Sequence, residues 1–314
     1  MTDSTTDTAL AIVFPGQGSQ SVGMLADLAA SYPIVNQTFA EASDVLDYDL
    51  WHLVQEGPAE QLNQTDKTQP AMLASGVAAW RVWREQGGAV PALMAGHSLG
   101  EYSALVCAGA LDFASAVKLV EERGQRMQAA VAGGSGAMAA ILGLDDDQVR
   151  AVCDAAAEGE VVSPANYNSP GQVVIAGHSA AVERAMAGAK QAGAKRALPL
   201  AVSVPSHCSL MKPAAEDFAE SLLAVNLQVP AIPVLQNADA ASHTGVETIR
   251  DALIRQLYSP VRWVETIQAM AAQEISRLIE AGPGKVLVGL NKRIDKGMTA
   301  LPVYDQATLE TALS

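Results

Sequence analysis

Two hydrophobic periods alternate along the chain. Short continuous apolar runs, at 10–14, 91–95, 136–142, 160–167, 172–176, 195–200, 232–235 and 275–279, have the length and flanks of buried strands. Between them apolar positions recur every three or four residues, which predicts helices from about Val22 and over 34–47, 69–86, 101–108, 113–131, 145–157, 179–192, 209–224, 247–257, 261–272 and 284–294. Strand followed by helix, repeated, is the pattern of an α/β protein with a parallel sheet. The block 136–200 breaks that rhythm. Its two strands around the turn Asn168-Ser169-Pro170-Gly171 give the order β-α-β-β-α-β, which is the ferredoxin-like order. The expected organisation is therefore a core over 9–132 and 202–305, interrupted by a compact insert over 133–201. No role is assigned to the stretch after about Lys296.

Composition narrows the function classes. The chain has 314 residues, 49% hydrophobic but only 4% aromatic, so its core is expected to be Ala-rich and closely packed. No apolar run reaches the ~18 residues of a membrane span, and the polar start of the chain lacks the basic region of a secretory signal. The formal net charge of −14 argues against nucleic acid as a partner. Three scattered cysteines, Cys107, Cys153 and Cys208, form no framework of disulfides and fit a reducing cytoplasm.

The segment Gly96-His97-Ser98-Leu99-Gly100 reads G-x-S-x-G between a predicted strand and a predicted helix. Flanking glycines permit the sharp turn that would lift the Ser98 hydroxyl clear of the sheet. The helix N-terminus supplies unpaired N–H groups to a developing oxyanion. The bland alternative is a serine that merely caps the helix. A nucleophilic serine needs a base. Of five histidines, His97 sits beside Ser98 where adjacent side chains diverge, His52 lies on a helix face, His178 opens a helix, and His243 lies in a polar loop. His207 follows what reads as an apolar strand ending at Pro205, and strand C-terminal ends are where α/β sites assemble. Its orienting partner is open: Asp239, Asp251 and a backbone carbonyl all qualify. A Cys208 nucleophile is disfavoured, since His207 at the adjacent position would not face it.

Arg123 falls inside the apolar stripe of the helix over 113–131, between Val120 and Met127, whereas Arg126 lies on the wet face. A guanidinium aimed inward requires an anion. The bland account is an internal ion pair or a snorkelling side chain, and the sharper one is a substrate carboxylate held in a bidentate pair. Two glycine patterns fail as nucleotide motifs. Gly282-Pro283-Gly284-Lys285 lacks the P-loop spacing, and Ser21 stands where the third glycine of G-x-G-x-x-G would fall. The Gly16-Gln17-Gly18 loop still allows close backbone approach, with Gln17 a candidate contact. No histidine spacing suggests a metal.

Taken together, Phe14-Pro15-Gly16-Gln17-Gly18-Ser19-Gln20, Gly96-His97-Ser98-Leu99-Gly100-Glu101, Arg123-Gly124, Asn168-Ser169-Pro170-Gly171-Gln172, Pro205-Ser206-His207 and Gly282-Pro283-Gly284 resemble, in this order, the bacterial malonyl-CoA:acyl carrier protein transacylases of type II fatty-acid synthesis. The resemblance runs from about residue 9 to about 295. It implies a hydrolase-like parallel-sheet core with the ferredoxin-like insert, and ping-pong acyl transfer from malonyl-CoA to the phosphopantetheine thiol of acyl carrier protein. It assigns Ser98 as nucleophile, His207 as base, and Arg123 to the malonyl carboxylate. The backbone N–H groups of Gln17 and Leu99 become the oxyanion hole, and the Gln256 carbonyl orients His207. A cytoplasmic monomer without cofactor or metal is implied. A serine thioesterase or esterase, and an acyltransferase serving a polyketide synthase, are the competing readings. The former would not need an inward Arg123. The small Ser206 before the histidine does not by itself fix the acyl group. Lys195, Arg196, Lys285, Lys292 and Arg293 are candidate carrier-docking cations.

Overall fold

The computed structural model describes residues 6–131, 134–202 and 204–314. Among these residues, nine strands form two sheets: β1 (Thr6–Phe14), β2 (Val90–Gly96), β3 (Gly136–Leu142), β4 (Val162–Ser169), β5 (Gln172–His178), β6 (Arg196–Pro199), β7 (Val234–Leu235), β8 (Arg277–Ala281) and β9 (Thr299–Val303). The first sheet has the order β7-β2-β1-β8-β9 and every pairing in it is parallel. Its central strand shows why it is central. Leu10, Ile12 and Phe14 enter one hydrophobic cluster, while Ala11 and Val13 enter another on the opposite face. Both faces are covered by helices, so the strand is apolar throughout rather than alternating.

The second sheet is antiparallel, in the order β4-β5-β3-β6. The helices Asp146–Ala157 and Ser179–Gln191 cover one face of it, with Ile141, Val173 and Ile175 between. The other face, carrying Met138, Ala165 and Ala176, packs with Cys208. The second sheet is also tied by backbone to the segment that precedes the helix Trp263–Ala272. Tyr167 donates to the Val261 carbonyl at 2.9 Å, and Val261 donates to that of Ala165 at 2.9 Å. Among the described residues, no helix is long and apolar enough to cross a membrane.

The structure departs from the periodicity reading in three places. The polar stretch between the first long helices contains two short ones, Leu50–Glu56 and Ala59–Leu62, and the following helix begins at Thr65. Among the described residues, the expected strand before His207 is absent. Val202, Val204 and Pro205 are irregular, Ser203 lies outside the described residues, and Ser206 and His207 form a turn. Proline removes a ladder donor there, and His207 adopts φ 62°, a left-handed conformation incompatible with a strand. The unassigned C-terminal stretch supplies β9, and the helix Gln306–Leu313 adds Leu309 and Ala312 to the main core. The expected boundary at 132/133 lies outside the described residues.

Candidate active site

The turn after β2 is made possible by contacts that exclude side chains. A Cβ on Gly96 would lie 1.8 Å from the Gly100 carbonyl carbon, and one on Gly100 would lie 2.1 Å from the Phe14 carbonyl oxygen. Between these glycines Ser98 takes φ 51°, left-handed although it is not glycine. Such a conformation costs of order 1–3 kcal/mol and persists only where the surroundings enforce it. We expect Gly100→Ala to lower the free energy of unfolding by about 3 kcal/mol or more, since the Phe14 backbone cannot yield. Gly289→Ala, whose Cβ would meet nothing within 4 Å in the helix Val286–Ile294, should be neutral or gain up to ~1 kcal/mol. Urea midpoints of the two variants decide this. Equal midpoints would mean that the turn tolerates a side chain.

Ser98 and His207 meet across 109 residues of sequence, with Oγ 2.8 Å from Nε2. His207 Nδ1 lies 2.8 Å from the Gln256 carbonyl oxygen, and the His207 N–H donates to the Leu257 carbonyl at 3.0 Å. Neither Asp239 nor Asp251 bonds the imidazole, whose two ring nitrogens meet Ser98 and the Gln256 carbonyl. Both aspartates accept from Arg255, at 2.9 and 2.6 Å, and Asp239 also holds His243 at 3.1 Å. His207 is buried, so its imidazole is pushed down to about 3 by desolvation first and by the Arg123 charge second. The imidazole is therefore neutral and able to accept a proton across the physiological range.

The sign of the associated stability effect follows. A depressed histidine contributes stability that is complete above its unfolded value of about 6.5 and is lost as pH falls toward 3. An NMR titration of the free protein, with His207→Ala identifying the resonance, should place the midpoint at least about one unit below 6.5. A midpoint at or above 6.5 would contradict this burial.

Arg123 is 1% exposed on the helix Phe113–Ala129. Gly124 lets that helix close on its neighbour: a Cβ there would lie 2.6 Å from the Asp66 Cα. The close approach brings Arg123 to Gln69. Nη1 donates to Gln69 Oε1 at 2.8 Å and Nη2 to Gln256 Oε1 at 2.9 Å. Both partners are neutral amides. Nε has no partner among the described residues, and each Nη keeps a second proton. The guanidinium also sits 5.4 Å from the Tyr102 ring centroid.

A cavity of about 100 Å³ joins these groups, lined by Gln17, His97, Ser98, Leu99, Arg123 and His207 among others. Among the described residues, the backbone N–H groups of Gln17 and Leu99 donate to no protein acceptor. His97 Nε2 is 2.8 Å from Asn168 Oδ1, and its ring tilts against Trp263 at 5.5 Å. His178 Nδ1 accepts from the Val161 N–H at 2.9 Å, far from Ser98 in its contacts. Cys208 gives its Sγ to the Pro205 carbonyl at 3.2 Å, and burial pushes its thiol up to about 11, which suits packing and not nucleophilic attack.

Three residues in the site were not singled out by sequence reasoning. Asn237 accepts the Ser98 N–H on Oδ1 at 2.6 Å. Glu101 is fully buried and accepts from the Asn237 N–H and Gln256 Nε2 at 2.8 and 2.9 Å. Gln69 holds Arg123. A signal existed for Asn237, which follows the C-terminal end of β7. Glu101 read as an ordinary acid in a first helical turn, and nothing in the sequence marked Gln69.

A comparison with protein-family models matches residues 11–303 to the acyl transferase domain. The malonyl CoA-acyl carrier protein transacylase of Escherichia coli strain K12 is 62% identical over 306 residues, covering 98% of this chain and 99% of that protein. This chain belongs to the malonyl CoA-acyl carrier protein transacylase family. A more distant transacylase, from Bacillus subtilis, is 46% identical over 305 residues, covering 97% of this chain and 96% of its own length. Among solved structures, the acyl carrier protein S-malonyltransferase of Vibrio cholerae superposes with a TM-score of 0.94 at 63% identity, covering 96% and 99% of the two chains. A malonyl-transacylase in complex with a type II PKS acyl-carrier protein superposes with a TM-score of 0.96 at 60% identity, covering 97% and 98%.

Proposed function

We propose that the protein transfers the malonyl group from malonyl-CoA to the phosphopantetheine thiol of acyl carrier protein through a malonyl-serine intermediate, supplying extender units for fatty-acid synthesis. One observation carries the reading from this chain's own geometry. A cavity sized for a small acyl group holds a serine–histidine pair at 2.8 Å and a buried arginine whose partners are all neutral. An acyl group bearing a free carboxylate fits that combination. Its thioester would face Ser98 while its charge meets the guanidinium. A plain esterase has no use for the buried cation.

Two finer readings accompany it. The core is hydrolase-like, supported by the elbow between β2 and its helix in a parallel sheet. The unit over 133–201 is a ferredoxin-like insert, supported by its β-α-β-β-α-β order and the strand order β4-β5-β3-β6. A cytoplasmic location is supported by three free thiols.

The chemistry runs through named atoms. His207 Nδ1–H donates to the Gln256 carbonyl, which leaves Nε2 unprotonated and facing the Ser98 hydroxyl. Nε2 takes that proton as Oγ attacks the thioester carbon. The oxyanion is met by the N–H groups of Gln17 and Leu99, a kind of stabilisation worth roughly 3 kcal/mol per donor. The tetrahedral intermediate collapses, the C–S bond breaks, and the CoA sulfur leaves with the proton held on Nε2. In the second half the carrier thiol gives its proton to Nε2 and attacks the acyl-serine, and Ser98 Oγ regains the proton as it leaves.

Intact-protein mass after brief exposure to malonyl-CoA, then to carrier protein bearing the phosphopantetheine arm, tests the whole sequence. The expected result is one malonyl adduct that moves to the carrier. Release of free malonate without an adduct on the carrier would instead make the protein a hydrolase.

A further inference from the structure

Glu101 stands at the start of the elbow helix Gly100–Cys107, fully buried, where the acyl-transfer scheme gives it no step. Its Oε2 accepts two hydrogen bonds, from the Asn237 N–H at 2.8 Å and Gln256 Nε2 at 2.9 Å, while its Oε1 has no partner among the described residues. A buried carboxylate left half satisfied in a well-packed core calls for an explanation. Burial raises its carboxyl to about 7, and the hydrogen bonds from Gln256 and Asn237, with the Arg123 charge, work against that rise.

We propose that Glu101 is the positioning residue of the site, a single buried acceptor that fixes the direction of the Gln256 amide, holds the Asn237 backbone and through them aligns Ser98, His207 and Arg123. The Asn237 N–H already donates to Oε2, so that oxygen acts as an acceptor whether the carboxyl is ionised or carries its proton on Oε1. Gln256 must therefore turn its NH₂ toward Glu101, which leaves its Oε1 toward Arg123 Nη2 at 2.9 Å. The same NH₂ reaches the Ser98 carbonyl at 3.0 Å. A flipped Gln256 amide would set NH₂ against guanidinium and carbonyl against carboxylate, two repulsions in place of two bonds.

Asn237 is held through its main chain instead. Drawn to Glu101 by its backbone N–H, it offers Oδ1 to the Ser98 N–H at 2.6 Å and Nδ2 to the Gly96 carbonyl at 2.7 Å. Both main-chain polar groups of the left-handed Ser98 are thus held by side chains of residues that Glu101 bonds, Gln256 through its amide and Asn237 through its backbone. Gln256 then carries the alignment outward, since its own carbonyl meets His207 Nδ1. The position of Glu101 in the first turn of the elbow helix makes it rigid with respect to the serine it serves.

The inference rests on the acyl-transfer reading for its kinetic test, so a second readout is chosen that needs no acyl donor. This readout is the rate at which a fluorophosphonate labels Ser98, which reports serine–histidine alignment alone. Glu101→Gln preserves shape and removes the obligatory acceptor. It is expected to keep Tm within about 5 °C of the parent. Labelling and kcat for malonyl transfer should each fall about 10–100-fold, the scale of a small misplacement of reacting groups, with KM for malonyl-CoA within about threefold. Gln256→Ala should slow labelling to a similar degree, and the double variant should be no more than about twofold slower than Gln256→Ala alone, because Glu101 acts through that amide. Should Glu101→Gln fail to fold, Glu101→Asp, which keeps the charge but withdraws it by one methylene, takes its place under the same limits. Labelling within twofold of the parent in the folded variant, or losses that multiply in the double variant, would overturn the proposal. A parent protein that labels rapidly but is inert toward malonyl-CoA would instead count against the functional reading only.

Discussion

Ser98→Ala is expected to leave no acyl adduct after exposure to malonyl-CoA, and His207→Ala to lower transfer about 10²–10⁴-fold without loss of the fold. The two variants fail for different reasons. The first removes the atom that bonds to the acyl carbon. The second leaves Ser98 in its turn but takes away the Nε2 that sits 2.8 Å from its hydroxyl. Peptide mapping after trapping should place malonyl on the peptide that contains Ser98. Cys208 is the control, since its thiol is buried, is held by the Pro205 carbonyl, and is pushed up to about 11. Malonyl found on Cys208 would sink the assignment. Near-parental transfer by His207→Ala, with an unchanged circular dichroism spectrum, would require another base.

Arg123→Ala is expected to invert the acyl preference. Malonyl transfer should fall in kcat/KM by the equivalent of about 1.5–3 kcal/mol or more, the scale of hydrogen bonds to a charged group. Acetyl transfer should hold or rise, because an acetyl group never used the contact. The structure sharpens the reason. Gln69 and Gln256 orient the guanidinium through two neutral bonds and leave it, among the described residues, without a direct ion-pair partner in a buried site. A desolvated cation without a counter-ion is costly, and an incoming carboxylate relieves that cost. Glu101 does not serve as that counter-ion by direct contact, since it reaches Arg123 only through the Gln256 amide. Arg123→Lys should recover only part of the loss, because an ammonium lacks the two parallel donors of the fork. Rates with malonyl-CoA and acetyl-CoA in each variant check the point. An equal loss for both acyl groups would make Arg123 structural and move carboxylate selection elsewhere.

The periodicity of the chain was sufficient for the elements whose burial is one-sided or complete. The run at 136–142 is a strand over the same residues, and the stripe through Val120, Arg123 and Met127 faces inward as its spacing requires. Errors arose where tertiary contacts override local pattern. The apolar run before His207 looks like a strand in composition, yet Pro205 and a left-handed His207 make it a turn. β9 escaped notice because an edge strand buries little and carries little apolar signal: four of its five residues remain partly or largely exposed.

The sequence by itself determined that the protein is built from alternating strands and helices, that a strand–turn–helix presents Ser98 between two glycines, and that Arg123 points into the interior. These are local properties, set by side-chain period and by the absence of a Cβ where backbones must touch. Only the tertiary structure decided what meets Ser98 and Arg123. The choice among Asp239, Asp251 and a carbonyl beside His207 could not be made from spacing, because a main-chain carbonyl belongs to every residue and leaves no mark in the sequence. Gln69, Glu101, Asn237 and Gln256 are likewise ordinary polar residues until the chain folds. Separations of 54 to 158 residues then close to hydrogen bonds of 2.6–3.0 Å, and burial turns each of them into an obligatory partner of the next.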